Sequence, residues 1–61
     1  MAYIKFNVTL KFGGEDCPLL PAKSFLVDAV NAEVAVRVAT NDAVAKGYKR
    51  NWVVEHEVEV L

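Results

Sequence analysis

The chain holds one histidine, His56, and one cysteine, Cys17. A thiol beside an imidazole is the smallest set that makes a nucleophile and its base. No third residue stands at a spacing that would orient such a pair, and Cys17 is followed by Pro18 in a stretch with no regular rhythm. The plainer reading makes His56 a sheet residue and Cys17 a small hydrophobe, the usual behaviour of a free cysteine. One His and one Cys also fall short of the closed tetrahedral set a structural metal needs. The sequence therefore predicts no catalytic residue, no metal site and no cofactor.

Three other groups carry recognisable chemistry. In "EHEVEVL", Glu55, Glu57 and Glu59 alternate with His56 and Val58. On a strand this sets three carboxylates about 7 Å apart on one face. That spacing is close to the spacing of phosphates along one DNA strand, as a DNA mimic would require, although a solvated sheet face is the plainer account. In "KGYKRNW", Lys46, Lys49 and Arg50 interleave with Tyr48 and Trp52. Cations for phosphate and rings for stacking are what a single-stranded nucleic acid platform uses. The same cations at a helix C-terminus would complement its dipole. In "EDCPLLPAKSF", Leu19, Leu20 and Phe25 sit among prolines that resist pairing. Apolar side chains on such a loop either fold back over the core or form a docking surface.

The elements that position these groups follow from hydrophobic rhythm. In "AYIKFNVTLKF", Ile4, Phe6, Val8, Leu10 and Phe12 alternate without a fault with Lys5, Asn7, Thr9 and Lys11, predicting a strand over about 3–12 with one buried face. Gly13 and Gly14 suit a turn, and Pro18 and Pro21 keep the next stretch out of a central ladder. From Ser24 to Thr40 a strand and a helix compete. The even positions Val30, Ala32, Val34, Val36 and Val38 favour a strand over about 30–39, since β-branched valine suits a pleated sheet. "SFLVDAV" before it reads either as an extension of that strand or as a short helix. Thr40 or Asn41 would then cap a helix over about 41–50, with Val44 and Tyr48 facing the sheet. "WVVEHEVEVL" closes the chain as a strand over about 52–60, Trp52, Val54, His56, Val58 and Val60 on one face. Lys5 and Lys11 would pair with the glutamates if the first and last strands are neighbours. The expected fold is α+β, a three-stranded sheet packed by one short helix.

Composition limits what this domain does. Sixty-one residues make one domain, 1–61. A chain of this size buries only about 60% of the surface its unfolded form exposes. It compensates with 54% hydrophobic residues, and no disulfide forms within a chain holding one cysteine. Burial against another protein, or against further copies as a homo-oligomer, is therefore expected. The formal charge of -1 supplies no field for recruiting nucleic acid or an anionic membrane. No apolar run approaches the ~20 residues of a membrane span, and "MAYIKFNV" lacks the apolar stretch of a signal peptide. A soluble protein of the cytoplasm is expected.

The order of an N-terminal strand, the stretch "VATNDAVAKG" and a closing strand resembles that of small phage-encoded proteins that bind and inhibit host enzymes. From Val34 to Leu61 the hydrophobic pattern is similar to that of the phage inhibitors of bacterial RNA polymerase. The resemblance implies a host protein as partner. The chain departs from those inhibitors by ending in the acidic "EHEVEVL" where they carry arginines, so no binding residue transfers. The leading expectation is a non-enzymatic protein-interaction module of the inhibitor or adaptor type, acting through a sheet edge, the Pro-containing loop or the acidic strand. Its candidate residues are Leu19, Leu20, Phe25, Glu55, Glu57 and Glu59. The alternatives are a single-stranded nucleic-acid-binding module using Lys46, Tyr48, Lys49, Arg50 and Trp52, or a self-assembling subunit of the virion type.

Overall fold

A computed structural model describes residues 2–61. The chain runs β1 (Ile4–Phe12), β2 (Lys23–Ala29), α1 (Ala32–Ala45), a single 3-10 turn (Arg50–Trp52) and β3 (Val53–Val60). The strands form one sheet in the order β2-β1-β3, with β1 antiparallel to both neighbours. The expected α+β architecture of three strands and one helix is the one observed. β2 and β3 run parallel to each other with β1 between them, so α1 crosses over the central strand rather than joining adjacent ones.

β1 obeys its alternation. Phe6, Val8 and Leu10 are buried beneath α1, and Lys5, Asn7, Thr9 and Lys11 occupy the opposite face. The second strand differs from the sequence expectation, lying at Lys23–Ala29 instead of 30–39. Phe25, Val27 and Ala29 are buried on the helix side, while Leu26 and Asp28 point outward. Val30–Ala39 belongs mostly to the helix, which begins at Ala32 rather than near Asn41. Its valines alternate in sequence, but Ala35, Ala39 and Ala43 stand four apart and are the three buried residues of α1. A stripe of methyl groups lets the helix backbone approach the sheet closely, and the surrounding burial outweighs the modest cost of valine in a helix.

The helix ends also move. Asn31, not Thr40 or Asn41, is the N-cap, its Oδ1 accepting from the Val34 amide at 2.9 Å. Thr40 is inside the helix, where its hydroxyl donates to the Val36 carbonyl at 2.8 Å. Gly47, expected within the helix, terminates it at φ +106°. The Gly47 amide bonds the Val44 carbonyl, and the Tyr48 amide reaches the Ala43 carbonyl, both at 3.1 Å. These are the paired bonds of a glycine-capped helix end, in a backbone conformation that other residues adopt only with strain. The basic run beyond Lys46 thus lies in the connection to β3, and the last turn of α1 holds no basic residue.

The core is confined to β1, β2 and α1: Phe6, Val8, Leu10, Phe25, Val27, Ala29, Ala35, Ala39 and Ala43. No residue of β3 is buried, although Val53 and Val58 pack against its margin. α1 therefore covers one edge strand and the centre, and leaves the other edge partly open. The molecule is a slab of 40 × 18 × 15 Å whose outer sheet face has no covering layer.

Candidate interaction edge

β3 pairs with β1 in the register Phe6↔Val60, Val8↔Val58, Thr9↔Glu57 and Lys11↔Glu55. Between Lys11 and Phe12 the register shifts, so that Phe12 faces Val53 and Val54 is the extra residue. This bulge corrects the expected face of the strand's first residues. Val53, not Val54, packs toward the core, and Val54 is displaced to 61% exposure beside Gly13. Beyond the bulge the expected alternation holds, with His56, Val58 and Val60 on the helix side and Glu55, Glu57 and Glu59 on the bare side.

The direction of the backbone groups follows from one bond. The Leu61 amide donates to the Lys5 carbonyl at 3.1 Å, which makes Lys5 and Leu61 a hydrogen-bonded pair. Such pairs recur every second residue in an antiparallel ladder, so Glu59, Glu57 and Glu55 direct their main-chain groups toward β1. His56, Val58 and Val60 direct theirs away from the sheet, along the free edge. The same three residues place their side chains on the helix side. There Ala32, Glu33 and Val36 of α1 face His56 and Val58 of β3 across a trough of ≈ 310 Å³. Val60, two residues on along the strand, is 64% exposed.

On the bare face, Lys11 Nζ stands 3.9 Å from Glu55 Oε2 and 3.7 Å from Glu57 Oε1. The expected pairing of Lys11 with the glutamates is thus present. Lys5 instead lies opposite Asp28 in the β1–β2 register. Glu59 faces Asn7 and has no cation opposite. These carboxylates are largely in solvent, and each exposed pair contributes at most about 1 kcal/mol.

The two other candidate groups meet at the opposite end of the molecule. Pro18 and Leu20 of the loop, with Lys46, Gly47, Tyr48 and Trp52, line a hollow of ≈ 220 Å³. Leu19 projects fully into solvent. Phe25, expected on the loop, is in β2 and buried at 5% exposure, so it belongs to the core. Tyr48 stacks on Phe12, ring centroids 4.4 Å apart and planes within 10°. Lys46 Nζ sits 5.2 Å from the centroid of Phe25, and Lys49 Nζ 5.7 Å from that of Trp52. Arg50 donates from Nη2 to Asn41 Oδ1 at 2.8 Å. The buried Nε1 of Trp52 has no hydrogen-bond acceptor among the described residues. The cations and rings of this run are thus spent largely on one another and on the core.

The Cys17 thiol donates to the Pro18 carbonyl at 3.1 Å, while His56 lies opposite Leu10 and lines the trough with Ala32, Glu33, Val36 and Val58. The structure does not bring the two together as a reactive pair. Among the described residues no cluster of three or more His, Cys, Asp or Glu could hold a metal ion, and no helix is long and apolar enough to cross a membrane. No family model matches the chain, and no curated protein or solved structure was found similar to it. Fold and geometry define a class, a small α+β domain with one open, half-covered sheet edge.

Proposed function

We propose that this protein is a non-enzymatic interaction module that takes an extended segment of another protein as a fourth strand along β3. The observation that carries the reading is the asymmetry of the sheet. β2 is an edge whose inward face is buried by α1, whereas β3 is an edge with no buried residue. Its outward amides and carbonyls, at His56, Val58 and Val60, lie beside an apolar trough. Main-chain bonds along such an edge supply affinity, and side chains entering the flanking trough supply selectivity. By its resemblance in pattern to phage proteins that inhibit host enzymes, the module is of the inhibitor or adaptor type, acting in the cytoplasm.

The nucleic-acid reading has less support, because Tyr48 has one ring face on Phe12 and Trp52 carries Lys49 over its ring. A stacking platform needs open rings.

The test is His56→Pro. His56 is exposed and directs its amide away from the sheet, and an edge strand tolerates proline where the amide faces solvent. The variant should unfold within about 1 kcal/mol of the parent. It should lose a partner that the parent retains from a bacterial lysate after nuclease treatment. A folded His56→Pro that keeps the same partner would overturn the reading. Partners lost only on nuclease treatment would move the function to Lys46, Lys49 and Arg50.

A further inference from the structure

We infer that the strand received by β3 belongs to a different protein and alternates apolar with basic residues, Lys or Arg falling opposite Glu55, Glu57 and Glu59. The inference rests on strand addition at β3 and adds the chemistry of what is added.

Self-pairing fails on register. A strand added to the sheet must present hydrogen-bonding groups to His56, Val58 and Val60, so its residues opposite these share the helix side. In a second copy paired antiparallel through β3, even-numbered residues therefore oppose even-numbered ones, and every registration that overlaps the acidic segments sets glutamate beside glutamate on the bare face. Like charges directly opposite are destabilising. Parallel pairing sets even against odd and would send the glutamates of one copy to the trough side of the other. Pairing β3 with the β2 edge of another copy offers no remedy: in the parallel sense that strand brings Ser24, Leu26 and Asp28 beside the glutamates, and in the antiparallel sense Phe25, Val27 and Ala29, with Lys23 the one cation at its end.

The same register specifies the partner. Its side chains opposite His56, Val58 and Val60 lie beside the trough lined by Ala32, Val36 and Val58, and apolar groups there would cover what α1 leaves open. Its side chains in between stand against the glutamate row, on the side away from Lys11. Glu59 has Asn7 opposite it in β1, so a cation from the new strand is the one charge partner it would gain. Glu33, at the rim of the trough, adds a carboxylate at that entrance. Acidic groups thus flank the edge on both faces.

The experiment uses short extended peptides of one length, valine at alternate positions and Lys, Thr or Glu between, titrated onto the intact protein by fluorescence anisotropy. Amide exchange of the isotopically labelled protein locates the contact. The Lys peptide should bind about tenfold more tightly than the Thr peptide, through two or three facing charge pairs acting together. The amides of His56, Val58 and Val60 should become protected, and the Glu peptide should not bind. The doubly substituted Glu57→Lys, Glu59→Lys protein should invert the order. Equal binding of all three with those amides protected would overturn the charge assignment and leave strand addition standing. Binding by none, or protection elsewhere, would overturn strand addition and this inference with it. Protection of those amides in the protein alone, with a dimer in sedimentation, would make a second copy the occupant and overturn the inference.

Discussion

Tyr48, three residues past the end of α1, lies flat on Phe12, the last residue of β1, with ring centroids 4.4 Å apart. The stack closes the end of a core whose helix contributes only alanine methyls to its buried centre, and it fixes where the chain turns from helix toward β3. Offset-stacked rings contribute about 0.5–1.5 kcal/mol beyond their buried area. Tyr48→Ala should cost about 2–3 kcal/mol in urea unfolding, and Tyr48→Phe should cost less than about 1. A double-mutant cycle with Phe12→Leu should return a coupling of about 1 kcal/mol. Additive effects would show that the stack is incidental to the packing.

Gly47 distinguishes the observed helix from the one the sequence suggests. Inside a helix over 41–50, Gly47→Ala would raise stability by about 1 kcal/mol. At φ +106° beyond the helix end, a Cβ meets no atom within 4 Å but strains the backbone. Gly47→Ala should therefore lower the unfolding free energy by about 1–2 kcal/mol. The sign of the change, read from denaturant midpoints, decides the matter.

Ala39 is fully buried where the helix backbone approaches β1 and β2. Ala39→Leu adds three carbons to a packed contact and should cost about 1–3 kcal/mol or more as α1 is lifted. Val44→Leu, at a position 41% exposed on the same helix, should stay within about 0.5 kcal/mol of the parent. Thermal unfolding of the two variants side by side separates a packing effect from one of helix propensity.

The acidic row and the helix-side alternation of His56, Val58 and Val60 were legible in the sequence, because a period of two leaves little choice about faces once a strand is assigned. That β3 would be an edge was not. Strand order depends on which partners β1 takes, and nothing local to "EHEVEVL" records it. The displacement of Val54 came from a bulge opposite Lys11 and Phe12, a feature of the pair of strands rather than of either alone. The loop and the basic run, read as separate candidates, meet in one hollow because α1 ends early and Pro18 and Leu20 reach its exit.

The sequence by itself determined β1, the closing strand and the α+β class, since unbroken alternation over nine residues suits a half-buried strand and no helix. Between Ser24 and Gly47 it determined only that one strand and one helix must be accommodated. Valines at even positions satisfy a strand locally. Ala35, Ala39 and Ala43 satisfy a helix only when a sheet lies beneath them, and Phe25, Val27 and Ala29 satisfy a strand only when β1 runs alongside. Tertiary structure made that decision, because burying six inward side chains of two strands under one methyl-faced helix outweighs the local preference of valine for the pleat. It also left β3 only partly covered, since a helix about 10 Å across, lying over β1 and β2, reaches roughly two strands spaced ~4.8 Å apart.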